Sequence, residues 1–235
     1  METIASKINH SLEIIDHAIE TFPLISVACS FGKDSMVVLD LALRINPYIK
    51  VFFIGTQFKP QGTFSYRDLI MRKWHIHVET LMASQQVSPN LPKENPEECC
   101  RLLKVEPTKR ALANLDAWIT GLRKTEGKTR TDYNELEPSF KKDLINNYQD
   151  DSIITKVNPI LLWTELDIWK YIAIQDIPVH PWYAMGYRSL GCAPCTNIVD
   201  DDATERSGRW VGTSKCGGEC GIHTMHKKDE KCLNI

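Results

Sequence analysis

Apolar positions along the chain follow two rhythms. Ile4, Ile8, Leu12, Ile15 and Ile19 recur every three or four residues, which lays one apolar stripe along a helix and predicts an amphipathic helix over 3–20. A short apolar run then fills 24–30, with no polar alternation, as in a strand buried on both faces. Similar runs cover 49–54 and 76–81. Helices are predicted between them: one begins near Asp34 or Ser35 and carries M-V-V-L-D-L-A-L, and another covers 63–74. Later strands are predicted at 117–122 and 153–160, and a helix at 164–174 with Thr164 as its N-cap. Short strands alternating with helices predict parallel β-α-β units, hence an α/β fold with an open, mostly parallel sheet flanked by helices. From about Thr196 the chain is polar, Gly-rich and weakly periodic, and reads as a mobile C-terminal tail. The expected organisation is one domain over 1–200 and a tail over 201–235.

Composition narrows the function classes. The chain has 235 residues, enough for one well-buried domain with an appendage. A net charge of -2 gives no general attraction to nucleic acid or to anionic membranes, so neither is an expected partner and any anion site must be local. The apolar runs are strand-sized and predict no transmembrane helix. The N-terminus, M-E-T-I-A-S-K-I-N-H, has neither the charged start nor the apolar core of a signal peptide. Eight cysteines without a signal point to the cytoplasm, where thiols serve as metal ligands or catalytic groups rather than as a disulfide framework.

Two features carry candidate chemistry. Ser30, Phe31, Gly32, Lys33 and Asp34 form a turn between a predicted strand and a helix that begins near Ser35. Backbone N–H groups at such a turn converge on an anion, and Lys33 adds a charge. The spacing is not that of a Walker A loop; S-F-G-K-D-S is close to the S-G-G-x-D-S loop of adenine-nucleotide α-hydrolases, with Phe31 in place of the first Gly. The second feature is two cysteine pairs, Cys99–Cys100 in E-C-C-R-L-L-K and Cys192/Cys195 in G-C-A-P-C-T. Four thiolates brought together by folding suit an iron–sulfur cluster or a tetrahedral zinc. The adjacent pair departs from the usual zinc clip, which leaves two to four residues between its cysteines. If 97–106 is helical, Cys100 and Lys104 share a face at i, i+4 spacing. Cys29 ends a predicted buried strand and reads as a small core residue.

Five motifs occur in one order: E-C-C-R-L-L-K-V-E-P-T-K-R-A-L, W-I-T-G-L-R-K-T-E-G-K-T-R, Y-R-S-L-G-C-A-P-C-T, E-R-S-G-R-W and E-C-G-I-H. With them the chain resembles the assimilatory adenylylsulfate (APS) reductases, the iron–sulfur class of the PAPS/APS reductase family, from about Ser26 to His223. The resemblance implies a nucleotide-binding domain that carries one 4Fe–4S cluster on Cys99, Cys100, Cys192 and Cys195. It implies a tail nucleophile, Cys220, that attacks the sulfuryl group of APS. AMP leaves, and thioredoxin or a glutaredoxin-like reductant releases sulfite from the S-sulfocysteine. Lys104 matches a lysine that links cluster to substrate. Arg123, Lys124 and Arg130 match the T-G-x-R…R segment, and Arg206 and Arg209 match E-R-x-G-R-W; with Ser30, Phe31, Gly32, Lys33 and Ser35 they form the implied substrate contacts. Arginine forks suit a phosphate–sulfate anhydride. Lys215 and His223 would favour the Cys220 thiolate. The family leaves APS against PAPS, or both, open, and leaves room for a homo-oligomer.

The chain also departs from the family. The charged S-F-G-K-D-S is less usual there, and D-T-G after the second strand is here G-T-Q, Gly55 to Gln57. Cys216 and Cys232 are extra: with Cys220 and His223 they would suit a zinc site, or Cys216 would act as a resolving thiol that expels sulfite from Cys220. Two other readings stand beside the reductase. An ATP-pyrophosphatase relative that adenylates its substrate, such as a thiolation enzyme, would explain the first loop but not E-C-G-I-H. A non-catalytic iron–sulfur or zinc sensor would explain the paired cysteines alone.

Overall fold

The computed structural model describes residues 3–127, 130–145, 151–200, 202–215 and 222. Helix α1 (Ile4–Thr21) is capped by the Thr3 side chain, which accepts from the Ser6 N–H. Then follow β1 (Ile25–Ala28), α2 (Lys33–Ile45), β2 (Lys50–Ile54), α3 (Thr63–Trp74) and β3 (Val78–Leu81). Short helices α4 (Leu91–Glu94) and α5 (Pro96–Cys100) lead into a π turn (Arg101–Val105), α6 (Glu106–Leu112) and β4 (Ala117–Ile119). The remaining elements are β5 (Leu136–Phe140), α7 (Lys141–Leu144), β6 (Ile153–Val157) and α8 (Glu165–Ile174). Thr164 caps α8 in a reciprocal box with Asp167, as its sequence predicts.

The strands form one six-stranded sheet in the order β3-β2-β1-β4-β6-β5. All pairs are parallel except β5 with β6. The chain builds outward from β1 to β3, then returns to the other side of β1 with β4. The carboxyl ends of β1 and β4 therefore flank a topological switch point, where open α/β sheets place their ligands. Helices α1, α2 and α8 cover one face, where Ile15, Val38, Leu41, Ile168 and Tyr171 are fully buried. Phe52, Leu112, Trp118 and Ile154 form the core of the opposite face, under α6. Each large apolar side chain buried this way contributes roughly 1.5–3 kcal/mol.

Three expectations change. Strand β5 was not predicted: L-E-P-S-F has no apolar run, and its Pro138 argues against a central strand. On an antiparallel edge Pro is tolerated because its missing donor faces no partner. The helix expected over 97–106 is not uniformly α-helical, since the π turn follows Cys100 directly and shifts the register between Cys100 and Lys104. The segment read as a mobile tail is docked over 202–215: Glu205, Arg209 and Trp210 are buried, and Thr196 bridges Arg209. Periodicity misses such a segment because irregular backbone buries isolated side chains rather than a stripe.

The turn after β1 shows how Phe31 replaces a glycine. Its φ is 63°, in the left-handed region, yet the ring is 1% exposed and packs edge-on to Phe53 at 5.3 Å and Tyr66 at 6.2 Å. Aromatic burial holds a backbone conformation that a β-carbon disfavours by about 1–2 kcal/mol. Phe31→Ala keeps that strain and loses the ring, so it should destabilise by about 3–5 kcal/mol. Phe31→Gly should be the milder change by about 1 kcal/mol, because glycine relieves the strain. Urea denaturation of both variants checks the order; an alanine variant more stable than the glycine variant contradicts it.

Candidate active site

The first loop is tied down by its own hydroxyls. The Ser30 N–H donates to Ser35 Oγ at 3.2 Å, and Ser35 Oγ–H donates to the Gly32 carbonyl at 3.0 Å. The Lys33 N–H donates to the Tyr183 hydroxyl at 2.8 Å. The Lys33 side chain is 1% exposed; its ammonium donates to the Arg188 carbonyl at 2.9 Å and pairs with Glu205. Burial alone would lower its pKa, but Asp34, Tyr183 and Glu205 outweigh burial and hold it above the usual lysine range.

Around Lys33 lies a lattice of buried charge. Arg123 is fully buried; its Nε donates to Asp34 at 2.6 Å and its Nη2 to both Glu205 oxygens at 2.8 and 2.7 Å. Arg130 pairs with Glu126, and Arg206 approaches Glu126 at 3.8 Å. One carboxylate oxygen each from Asp34, Glu126 and Glu205 lies within 4.8 Å of the others. Three acids this close are held by four cations, while burial and the Asp34 carboxylate push the Glu205 carboxyl above the usual carboxylate range. Burial pushes the Asp34 carboxyl up, but Lys33 and Arg123 overcome it and hold it below the usual carboxylate range.

Beside the lattice, at the switch point, is a cavity of about 180 Å³. Ser30, Gly32 and Ser35 line it from the first loop, and Lys104, Arg130, Arg206 and Arg209 supply positive charge. Ala28, Phe52, Ile54 and Trp118 give it apolar wall, and Ile222 from E-C-G-I-H also lines it. Phe31, Lys33, Arg123 and Lys124 are not among its lining residues. Gly121 permits the close approach that shapes it, since a β-carbon there would come within 2.9 Å of the Asp34 and Ser35 backbone.

The two cysteine pairs meet. Cys99 and Cys100 close α5, Cys192 and Cys195 form a tight turn, and all four are buried around a small cavity shared with Lys104, Arg209 and Trp210. Thr56 Oγ1 lies 3.5 Å from Cys192 Sγ. The Trp210 indole N–H is buried with no hydrogen-bond partner among the described residues. Burial, then Cys192 and Cys195, pushes the Cys99 thiol up to about 11, and burial and Cys192 also raise Cys195. Thiols that oppose one another's ionisation stay protonated until a metal centre displaces their protons to solvent. Among the described residues no three of these sulfurs lie within 4.8 Å of one another, since that span gathers only Asp34, Glu126 and Glu205. One tetrahedral zinc with Zn–S near 2.3 Å would need sulfurs about 3.8 Å apart. Four convergent buried thiols, a spare N–H and cationic neighbours suit an anionic metal–thiolate centre, and the adjacent Cys99–Cys100 pair departs from the usual zinc clip. Lys104 and Arg209 line both this cavity and the larger one.

Sequence reasoning missed Glu205, Glu126 and Tyr183 as site residues. Glu205 is the first residue of E-R-S-G-R-W, a motif in which the family match points to the arginines alone. Lys215 pairs with Glu97 at 2.7 Å next to the cysteine cage; Cys220, beside which it is expected, lies outside the described residues. Cys29 is a buried core thiol pushed up to about 11 by burial. Cys216, Cys220, His223 and Cys232 lie outside the described residues.

The lattice makes a stability prediction. Arg123→Met strands Asp34 and Glu205 without their shared cation and should destabilise by about 3–5 kcal/mol. Lys142→Ala, which breaks the exposed pair with Asp151, should change stability by at most about 1 kcal/mol. Because Asp34 has a lowered pKa, its contribution is present above the ordinary carboxylate range and is lost as pH falls through it. Urea denaturation from pH 7 down to about pH 3 should therefore show a steeper acid loss in the wild type than in Arg123→Met.

Comparison with known proteins places this geometry in a family. Residues 24–198 match the model of the phosphoadenosine phosphosulfate reductase domain. The chain is 33% identical to an adenosine 5'-phosphosulfate reductase of Staphylococcus epidermidis, over 92% of this chain and 87% of that protein. It is 32% identical to a phosphoadenosine 5'-phosphosulfate reductase of Gloeobacter violaceus, over 84% of this chain and 81% of that protein. The fold is shared with the crystal structure of the PAPS reductase from Candida auris in its phosphate complex, with a TM-score of 0.65 at 22% identity, covering 80% of this chain and 90% of that one. The parallel sheet, the cleft at its switch point and the matched span together make this chain a member of the phosphoadenosine phosphosulfate reductase domain family.

Proposed function

We propose that this protein reduces adenylylsulfate to sulfite and AMP in sulfate assimilation, through an S-sulfocysteine on Cys220 and with a thioredoxin- or glutaredoxin-like dithiol as reductant. One observation carries the reading: Ile222, two residues beyond Cys220, lines the same cavity as Arg206, Arg209, Arg130 and Lys104. Ile222, the described residue of E-C-G-I-H, thus lines a cationic cleft at the switch point of the sheet, which supports Cys220 as the attacking thiol.

The cavity's arginines and lysine offset the charge of the phosphate–sulfate anhydride, and its apolar wall takes the base. The Cys220 thiolate attacks the sulfuryl sulfur, the S–O bond to the phosphate breaks, and AMP leaves with the electron pair. A thiolate of the reductant then attacks Cys220 Sγ. Sulfite leaves with the S–S electron pair, and the reductant's second thiol closes a disulfide, so the dithiol is oxidised as sulfur(VI) becomes sulfur(IV).

Cys99, Cys100, Cys192 and Cys195 are the residues that would hold a 4Fe–4S cluster, and the adjacent Cys99–Cys100 pair favours it over one zinc ion. When bound, the cluster supplies a compact anionic centre against which Lys104 and Arg209 are held at the cavity wall. The adenylating alternative is disfavoured, because the loop cation it needs for pyrophosphate, Lys33, is buried against Glu205 and the Arg188 carbonyl. Among the described residues no helix is long and apolar enough to cross a membrane. The proposed site of action is the cytoplasm.

Purified anaerobically, the protein should carry iron and sulfide rather than zinc, and should make sulfite from APS when supplied with a dithiol. Parallel assay on PAPS sets its preference. Cys220→Ser should retain the iron and bind AMP as the wild type does, with sulfite formation down at least about 10³-fold. Stoichiometric zinc, or near wild-type sulfite formation by Cys220→Ser, contradicts the proposal.

A further inference from the structure

The lysine of S-F-G-K-D-S is the residue that would ordinarily be assigned to an anion. Here it faces the chain's own carboxylate. Lys33 leaves the first turn of α2, is 1% exposed, and ends on Glu205, more than 170 residues further along the chain, and on the Arg188 carbonyl. Arg123, in the loop after β4, closes on both oxygens of the same Glu205. Arg188 also reaches this segment, donating to the Ala203 carbonyl at 2.5 Å. Three cations thus grip residues 203–205 from across the switch point.

The consequence lies in the next residues. Arg206 follows Glu205 directly, and Arg209 is one turn of chain later; both line the cavity. Arg209 is set further by the Leu190 carbonyl at 3.1 Å and the Cys195 carbonyl at 3.3 Å. A carboxylate buried between a lysine and an arginine nitrogen that bonds both its oxygens is confined far more tightly than a surface pair, because leaving it means abandoning buried charge.

We infer that Glu205 is a positioning residue and Lys33 its receptor. The pair docks the C-terminal segment so that Arg206 and Arg209 enter the cavity, and Lys33 does not itself touch the substrate. The charged departure in the first loop is on this account a latch for the tail. The inference rests on the proposed function only in taking those arginines as substrate contacts.

Two measurements on Lys33→Met, Glu205→Gln and their double variant test it. Hydrogen–deuterium exchange should speed up across 202–215 in each single variant, with β1 as protected as in the wild type. The value of kcat/KM for APS should fall about tenfold to hundredfold in each, with the double variant no worse than the worse single, as for two residues acting through one contact. Lys33→Arg, which keeps the charge, should restore most of the protection and rate. Losses that multiply in the double variant, or wild-type exchange over 202–215 in Lys33→Met, overturn the inference. A wild type inactive on APS would sink the functional reading, while the exchange measurement would still decide the latch. If a single variant fails to fold, the exchange of Lys33→Arg and of the double variant decides instead: protection at 202–215 kept in the double variant refutes the latch.

Discussion

Three carboxylates gathered at the end of a parallel sheet, two of them buried and the third half-buried, form the constraint on which this molecule turns. Asp34, Glu126 and Glu205 come from three distant parts of the chain, and their mutual repulsion is tolerable only because Lys33, Arg123, Arg130 and Arg206 interleave with them. Removing any one cation leaves charge in a medium that solvates it poorly. The first turn of α2, the loop after β4 and the segment after the cysteine turn are therefore fixed relative to one another. The cavity is the space those three fixed pieces leave.

The cysteine cage joins this arrangement through two residues. Lys104 sits on the π turn just after Cys100, and Arg209 packs its guanidinium over Trp210 at 4.3 Å while bonding the Cys195 carbonyl. Both line the cage and the cavity. A group held by the four sulfurs would share Lys104 and Arg209 with the cleft, and would there offset their charge. The π turn matters because it lets two cysteines and a wall lysine all line these cavities from one short helical rod.

Much of this was legible in the residues. Period and run length found α1, α2, α3, α8 and the parallel strands, because those elements bury a stripe or a whole strand. The same reasoning missed β5, because L-E-P-S-F has no apolar run and carries Pro138. It also took 202–215 for a free tail, since Glu205, Arg209 and Trp210 are buried singly along irregular backbone. Spacing put Cys99, Cys100, Cys192 and Cys195 together, and the cage does so too. It could not show that Lys33 faces Glu205, because the partner of a buried charge is set by topology across more than a hundred residues of chain.

The central claim is that a tail thiol, and no other, takes the sulfur. The direct measurement is a single turnover of the anaerobic protein with APS and no reductant, followed by mass mapping of every cysteine-bearing peptide. The account predicts one sulfite-bearing adduct on Cys220, formed with one equivalent of AMP and discharged as sulfite when a dithiol is added. An adduct on any other cysteine, or AMP released with no adduct at all, would contradict it.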